Sequence, residues 1–442
     1  MKKITIFVLC FGCFMNVFGQ VPASSQKKRI LLYGGTAHIG NGQVIENSLI
    51  ILEDGKILTV EDASQIRVDI SDAEYYDLIG KHVYPGFILP NTTLGLADID
   101  AVRATLDYDE VGDFNPHIRS FVAYNTDSPV IPTIRANGIL LGQITPRGGV
   151  ISGTSSIMEF DAWNFEDALY KKDQGVHLNW PQRQKKLILS PQDREEIKTN
   201  ERSQEIRRIE EFFEQSKSYL NSDKEKVDLR LEAMRGLYNG FKTLYIHVKS
   251  VKQIKEAVIF CQKMTVKKFV LVGAQDAWRI ADFLAENNVP VILNRVHRLP
   301  IRNDEDIDVA FKSPKILQDA GVLFCLDYHG DMERMGSRNL PFTAGTCVAY
   351  GLSKEEALAS ITYNAAKILG LEDRLGTLEA GKDATLIVSE GDALDVMTNQ
   401  VNLAFIRGKK LDLTNHQTRL YEKYKKHQEE ELKPYQKIED TK

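Results

Sequence analysis

Between residues 29 and 60 the apolar positions fall in short β-like runs. Arg29-Ile30-Leu31-Leu32-Tyr33 leads into Gly34-Gly35, and Ser48-Leu49-Ile50-Ile51-Leu52 is joined to Ile57-Leu58-Thr59-Val60 across Glu53-Asp54-Gly55-Lys56. Two such runs flanking Asp-Gly predict a hairpin. Val83-Tyr84-Pro85-Gly86-Phe87-Ile88-Leu89 is an apolar run broken by Pro-Gly, which predicts a tight turn feeding a buried strand and a change of domain. Beyond it, β-like runs at 138–144, 243–248, 268–272, 289–293 and 322–326 alternate with amphipathic helical patterns such as 250–263 and 274–286. That alternation predicts an α/β fold with a parallel sheet. Periodicity alone leaves a closed barrel and an open doubly wound sheet both open.

One tract interrupts the rhythm. Residues from about 165 to 235 are charged and helix-forming, with Ile206, Ile209, Phe212 and Phe213 at helical spacing, and predict a helical insert burying one face. Residues 415–442 carry mixed charges around Leu420, Tyr421 and Tyr424 and predict an exposed helix with a frayed end.

Composition adds three constraints. With 442 residues, 43% hydrophobic and 26% charged, the chain has material for a large core, and its net charge of −5 gives no footing for nucleic acid. Met1-Lys2-Lys3 followed by the apolar run from Ile4 to Phe18, with Val17 and Gly19 at the −3 and −1 positions, predicts a signal peptide over residues 1–19. A periplasmic or secreted location follows, with no membrane contact beyond export, since about 15 apolar residues fall short of a span. Cys261, Cys325 and Cys347 are odd in number and set in apolar runs, which predicts buried free thiols.

Three stretches carry a family resemblance. The run from Val83 to Leu96, the segment Asp373-Arg374-Leu375-Gly376-Thr377-Leu378-Glu379-Ala380-Gly381-Lys382-Asp383-Ala384-Thr385-Leu386-Ile387-Val388 and the helix-like stretch 354–369 resemble signatures of the amidohydrolase superfamily, especially its imidazolonepropionase-like branch. The resemblance implies a distorted TIM (β/α)8 barrel with a small composite β-sandwich domain built from both chain ends. The expected boundaries are 28–88 and 373–412 for the sandwich, 89–372 for the barrel and 413–442 for the tail.

What the resemblance implies about chemistry is a metal, zinc or iron, at the C-terminal mouth of the barrel. In the family pattern the first strand supplies two histidines. Here those positions hold Asn91 and Thr93, and Leu89 stands where an Asp is usual. His247 matches the fifth-strand ligand position, and it can be read either as a metal ligand or as a hydrogen-bonded residue of the mouth. In the eighth-strand region His329 counts onto the catalytic Asp position, while Asp327 and Asp331 flank it; Asp327 and His329 are the candidate catalytic pair. The Gly/Ser/Thr stretch 145–156 reads as a loop whose N–H groups, with Arg147, Ser152 and Thr154, could hold an anion. Arg295 and His297 are further candidates for substrate contact.

Two functions remain open at this point. One is hydrolysis of C–N bonds, other than peptide bonds, in cyclic amides or similar small molecules, with a degenerate metal site. The other is a catalytically inactive relative that binds a ligand or pairs structurally, with another copy of itself or with an active paralogue. In both, the surplus of Arg and His predicts a small anionic ligand, held more tightly as the histidines gain protons; the competing expectation is that Asp327, Asp331 and Glu333 neutralise the mouth and leave it closed and structural.

Overall fold

The computed structural model describes residues 21–67, 71–182, 191–222, 226–330 and 332–439. The expected signal peptide and Asp331 therefore lie outside the described residues. Two sheets organise the molecule. The first contains β1 (Arg29–His38), β2 (Val44–Glu53), β3 (Lys56–Asp62), β4 (Ala73–Asp77) and β5 (His82–Pro85). The second contains β6 (Phe87–Thr92), β7 (Ile139–Ile144), β8 (Ile151–Glu159), β9 (Leu169–Asn179), β10 (Thr243–Val248), β11 (Phe269–Gly273), β12 (Val291–Leu293) and β13 (Phe324–Leu326). The chain then returns to the first sheet with β14 (Leu386–Ser389), β15 (Val401–Ile406) and β16 (Lys409–Lys410).

The first sheet has the order β16-β15-β14-β5-β1-β2-β3, with β4 also on β1. Asp54 and Gly55 both take positive φ, 49° and 77°, as a two-residue turn between right-twisted strands requires. At Gly34, φ 82°, β1 bends and its register shifts, so its first half pairs with β4 and its second half with β5. The chain ends meet where β14 pairs antiparallel with β5, setting Val388 opposite Val83. Ile30, Leu32, Ile50, Val83, Leu386, Val388 and Phe405 bury a common core there.

The second sheet runs β6 to β13 in chain order and is nearly closed. From β9 to β13 the strands are parallel and separated by helices such as Val251–Lys263 and Val309–Asp319. One departure from the expected barrel stands out: β8 is antiparallel to both β7 and β9. The stretch expected to be a Gly/Ser/Thr loop is therefore a loop only up to Val150; Ser152 and Thr154 lie within β8. Every residue of β8 is buried, and small hydroxyl side chains fit such a site because they bond to nearby backbone.

The tract expected to be a helical insert contains β9 as well. Its helical part begins with Pro191–Leu220 and continues through Leu229–Ala233 and Arg235–Asn239. Ile209 and Phe213 are fully buried, in line with the helical spacing. The stretch 354–369 forms two helices, Lys354–Ile361 and Tyr363–Leu369, broken at Thr362. Cys261, Cys325 and Cys347 are buried and free. No helix among the described residues is long and apolar enough to cross a membrane.

Ion pairs tie the two sheets together. Asp383, preceding β14, accepts from Lys56 Nζ at 2.5 Å, from Tyr170 of β9 at 2.6 Å and from Arg374 at 2.8 Å. Arg407 beyond β15 reaches Glu159 at the end of β8 at 2.5 Å.

Candidate functional site at the barrel mouth

The C-terminal ends of β6, β9, β10 and β13 converge on one cluster of polar side chains. At the end of β6, Asn91 takes φ 50°, a left-handed conformation that Asn tolerates better than most residues. Its backbone N–H is thereby turned onto buried Gln143, at 3.2 Å from Oε1. Its side chain spans the seam between the two edge strands of the barrel: Asn91 Nδ2 donates to Asp327 Oδ2 at 2.7 Å. Asp327 Oδ1 accepts from the Tyr328 backbone at 2.6 Å.

Arg147, from the loop after β7, fills the centre. Its Nη1 donates to Asn91 Oδ1 and its Nη2 to the Asn91 carbonyl, both at 2.8 Å, and Nη2 lies 3.3 Å from both Glu333 Oε1 and His329 Nδ1. Glu333 also takes a hydrogen bond from Thr93 Oγ1 at 2.6 Å, and its Oε2 is 2.5 Å from His329 Nδ1. Beside this knot, Thr93, Tyr108, Arg147, His329 and Glu333 line a cavity of about 470 Å³, with the Asp100–Arg334 ion pair on its wall.

Deeper in the barrel, His177 of β9 sits 3.0 Å from His247 of β10, ring nitrogen to ring nitrogen, and 2.9 Å from Ser155 Oγ. Burial, and then the charge of Arg147, hold His177 well below the usual histidine range. Burial holds His247 down in the same way, helped by His177 and Arg147. Both imidazoles are therefore neutral near pH 7. His177 and His247 thus bring no charge to the mouth; Arg147 does, and it is paired with Glu333. Burial also pushes Asp327 up to about 6, against the opposing pull of His329 and Asn91. Burial would raise Glu333 too, but Arg147, His329 and Thr93 together outweigh it and hold that carboxylate well below its usual range.

The structure thus brings Asn91, Thr93, Arg147, Asp327 and His329 together and leaves the other candidates apart. Ser152 Oγ donates to the Gly148 carbonyl at 2.7 Å and accepts from Asn179 at 3.0 Å; Thr154 Oγ1 donates to the Pro116 carbonyl at 2.7 Å. Those hydroxyls brace backbone. Arg295 lies over the Tyr328 ring, 5.5 Å from its centroid. His297 meets Thr346 Oγ1 at 2.7 Å and lines a different cleft of about 600 Å³ with Phe342 and Asp392.

Sequence reasoning missed His177; it offered Glu333 only as a carboxylate that could neutralise the mouth, and the structure pairs it with Arg147. His177 lies in the β-like run Gly175-Val176-His177-Leu178-Asn179, inside the tract read as helical. Glu333 stands four residues after His329, but its helix opens only at Glu333 itself, after Met332 at φ 57°, so a turn of the chain and not helical spacing brings the two together.

The metal that the family pattern implies does not fit these residues. Asn91 and Thr93 offer neutral oxygens already engaged with Arg147, Asp327, Glu333 and Arg334, and a guanidinium occupies the middle of the donor set. His177 and His247 are directed at each other. Among the described residues no three His, Cys, Asp or Glu side chains are placed to hold a metal ion.

The profile of the Amidohydrolase family matches residues 231–411. An imidazolonepropionase of Shewanella woodyi is 28% identical over 180 residues, 39% of this chain and 37% of that protein. One of Shewanella sediminis is 34% identical over 103 residues, 23% of this chain and 20% of its own length. Amidohydrolase tasK of Hapsidospora irregularis is 23% identical over 384 residues, covering 78% of this chain and 38% of the relative. The match therefore spans under two-fifths of each of these proteins. The crystal structure of an amidohydrolase from Thermotoga maritima superposes with a TM-score of 0.75 at 23% identity, covering 87% of this chain and 99% of that one. That likeness shows the fold: barrel plus separate β-sheet domain.

Proposed function

Because this chain belongs to the amidohydrolase superfamily, on its imidazolonepropionase-like branch, we propose that it recognises small molecules of the kind those C–N hydrolases act on, through a mouth rebuilt around an arginine. The ligand is a cyclic amide or similar small molecule bearing a carboxylate or other anionic group, and metal-dependent hydrolysis has been lost. One observation carries this reading: the guanidinium of Arg147 is bound to both oxygens of Asn91, at the position where the family pattern puts a metal-binding histidine. A planar fork of N–H donors suits a carboxylate, which would have to exchange for the Asn91 and Glu333 contacts the fork now makes, and the adjoining cavity has room for a small ring. The reading includes export to the periplasm or the medium, supported by the N-terminal pattern. It allows pairing with a second copy or an active paralogue that performs the hydrolysis.

A second reading is favoured by Asp327. A buried carboxyl titrating at about 6 beside the amide of Asn91 is suited to act as a general base toward water, so that a strained cyclic amide is opened without metal, with His329 beside Arg147 at the rim.

Calorimetric titration with pyroglutamate, a carboxylate-bearing cyclic amide, tests both. Binding that is lost in Arg147→Gln, with no ring opening detected by mass spectrometry, supports the first reading. Turnover in chelator-treated protein that disappears in Asp327→Asn supports the second. Absence of any binding by the wild type overturns both.

A further inference from the structure

Barrel interiors are filled mostly by branched apolar side chains. This one carries a polar column instead: Gln143, Ser155, Gln174, His177 and Tyr245 are all buried and bonded to one another. Its hydrogen bonds can be given a direction from the top. The backbone N–H of Asn91 can only donate, so the Gln143 atom it meets at 3.2 Å is the amide oxygen. Gln143 Nε2 then donates to Gln174 Oε1 at 3.0 Å and to Ser155 Oγ at 3.2 Å.

The Ser155 hydroxyl has one proton to give and three acceptors in range. His177 Nε2 is at 2.9 Å, the Gly175 carbonyl at 3.3 Å and Gln174 Oε1 at 3.5 Å, the last already engaged by Gln143. Given to His177 Nε2, the nearest, it makes that nitrogen an acceptor; given to the Gly175 carbonyl, it would let His177 Nε2 donate to Ser155 and would reverse the relay. A neutral imidazole that accepts at Nε2 carries its own proton on Nδ1. His177 Nδ1 faces His247 Nε2 at 3.0 Å, so His247 accepts there in turn, and its proton sits on Nδ1. We infer that Gln143, Ser155 and His177 lock His247, at the mouth end of β10 and below the Arg147 cavity, in the Nδ1–H form, a neutral donor for an acceptor oxygen, carboxylate or amide carbonyl, of a ligand that reaches past Arg147.

The ligand half of this inference rests on the proposed binding role of the mouth, whereas the tautomer does not. Gln143, Ser155 and His177 are positioning residues, acting on the ligand only through His247.

Neutron diffraction from deuterium-exchanged crystals of the full chain reads the protons directly. Deuterium on Nδ1 of both His177 and His247 is expected; deuterium on Nε2 of His247 overturns the lock whatever the mouth binds. In solution, imidazole nitrogen shifts of histidine-labelled protein should show His247 moving toward the Nε2–H form in Ser155→Ala, with pyroglutamate affinity falling about fivefold. Ser155→Thr, which keeps the hydroxyl, should restore both. An unchanged His247 spectrum in Ser155→Ala overturns the lock. A wild type with its proton on Nδ1 that binds no pyroglutamate supports the lock and overturns the binding reading.

Discussion

Arg147 holds the end of β6 by both oxygens of Asn91, and Glu333 depends on it for charge. Replacing it with Met leaves a buried carboxylate without its cation. The expected cost is about 3–5 kcal/mol, read by denaturant unfolding, and adding Glu333→Gln should recover a large part of it. Asp327 makes a prediction of opposite character. Its proton is held more tightly in the folded chain than in the unfolded one, so the stability it contributes is full below pH 3.8 and is lost as pH rises toward 6. Glu333 acts the other way, contributing above pH 4.5 and losing that contribution as pH falls. Between pH 5 and pH 7 the wild type should therefore lose stability relative to Asp327→Asn as pH rises. Over pH 5 to 8 anion binding should also weaken in the wild type, as Asp327 becomes charged, and stay flat in the variant; thermal melts and titrations at both ends check this.

Among the elements, β14 decides whether the first sheet exists as a unit. It pairs with β5 and buries Leu386 and Val388 against Ile30, Leu32 and Val83. Ending the chain at residue 372 removes β14 to β16 together with Asp383, and strips the cover from that apolar face. Insoluble protein is the expected outcome. Ending it at residue 420 keeps β15, β16 and the Asn415–Thr418 cap of the last helix, whose residues Tyr421 and Tyr424 are exposed. That truncation should melt within about 2 °C of the full chain. Equal loss of soluble protein in both would show that the tail is integral to the fold.

For the molecule as a whole, a mouth centred on a guanidinium predicts indifference to metal. The purified protein should hold far less than stoichiometric tightly bound zinc or iron by plasma mass spectrometry, and its melting temperature should not move with chelator. Stoichiometric metal retained through dialysis would contradict this reading, and its loss in His247→Ala would then locate it.

Much of this was legible in the sequence because it is local. Asp54-Gly55 specifies its own turn, the βα alternation after residue 240 specifies parallel strands, and the stretches 83–96 and 373–388 carry enough fixed Gly and apolar positions to identify the superfamily. The absence of histidine at positions 91 and 93 was equally plain. Other features depend on groups far apart in the chain. Whether Gly148 to Ser156 is loop or strand depends on partners at 139–144 and 169–179, and small hydroxyl residues take a buried strand when those neighbours satisfy them. His177, hidden in a tract that reads as helical, gains meaning only from His247, 70 residues on. The neutral state of both histidines and the raised value of Asp327 come from burial, and the place of Arg147 comes from Asn91, 56 residues earlier. Hydrophobic period and turn chemistry are written within a few residues, so the sequence determined the superfamily and the elements other than β8 and β9; desolvation and charge pairing act between residues that only the closed barrel brings together, so tertiary structure alone decided what its mouth is made of.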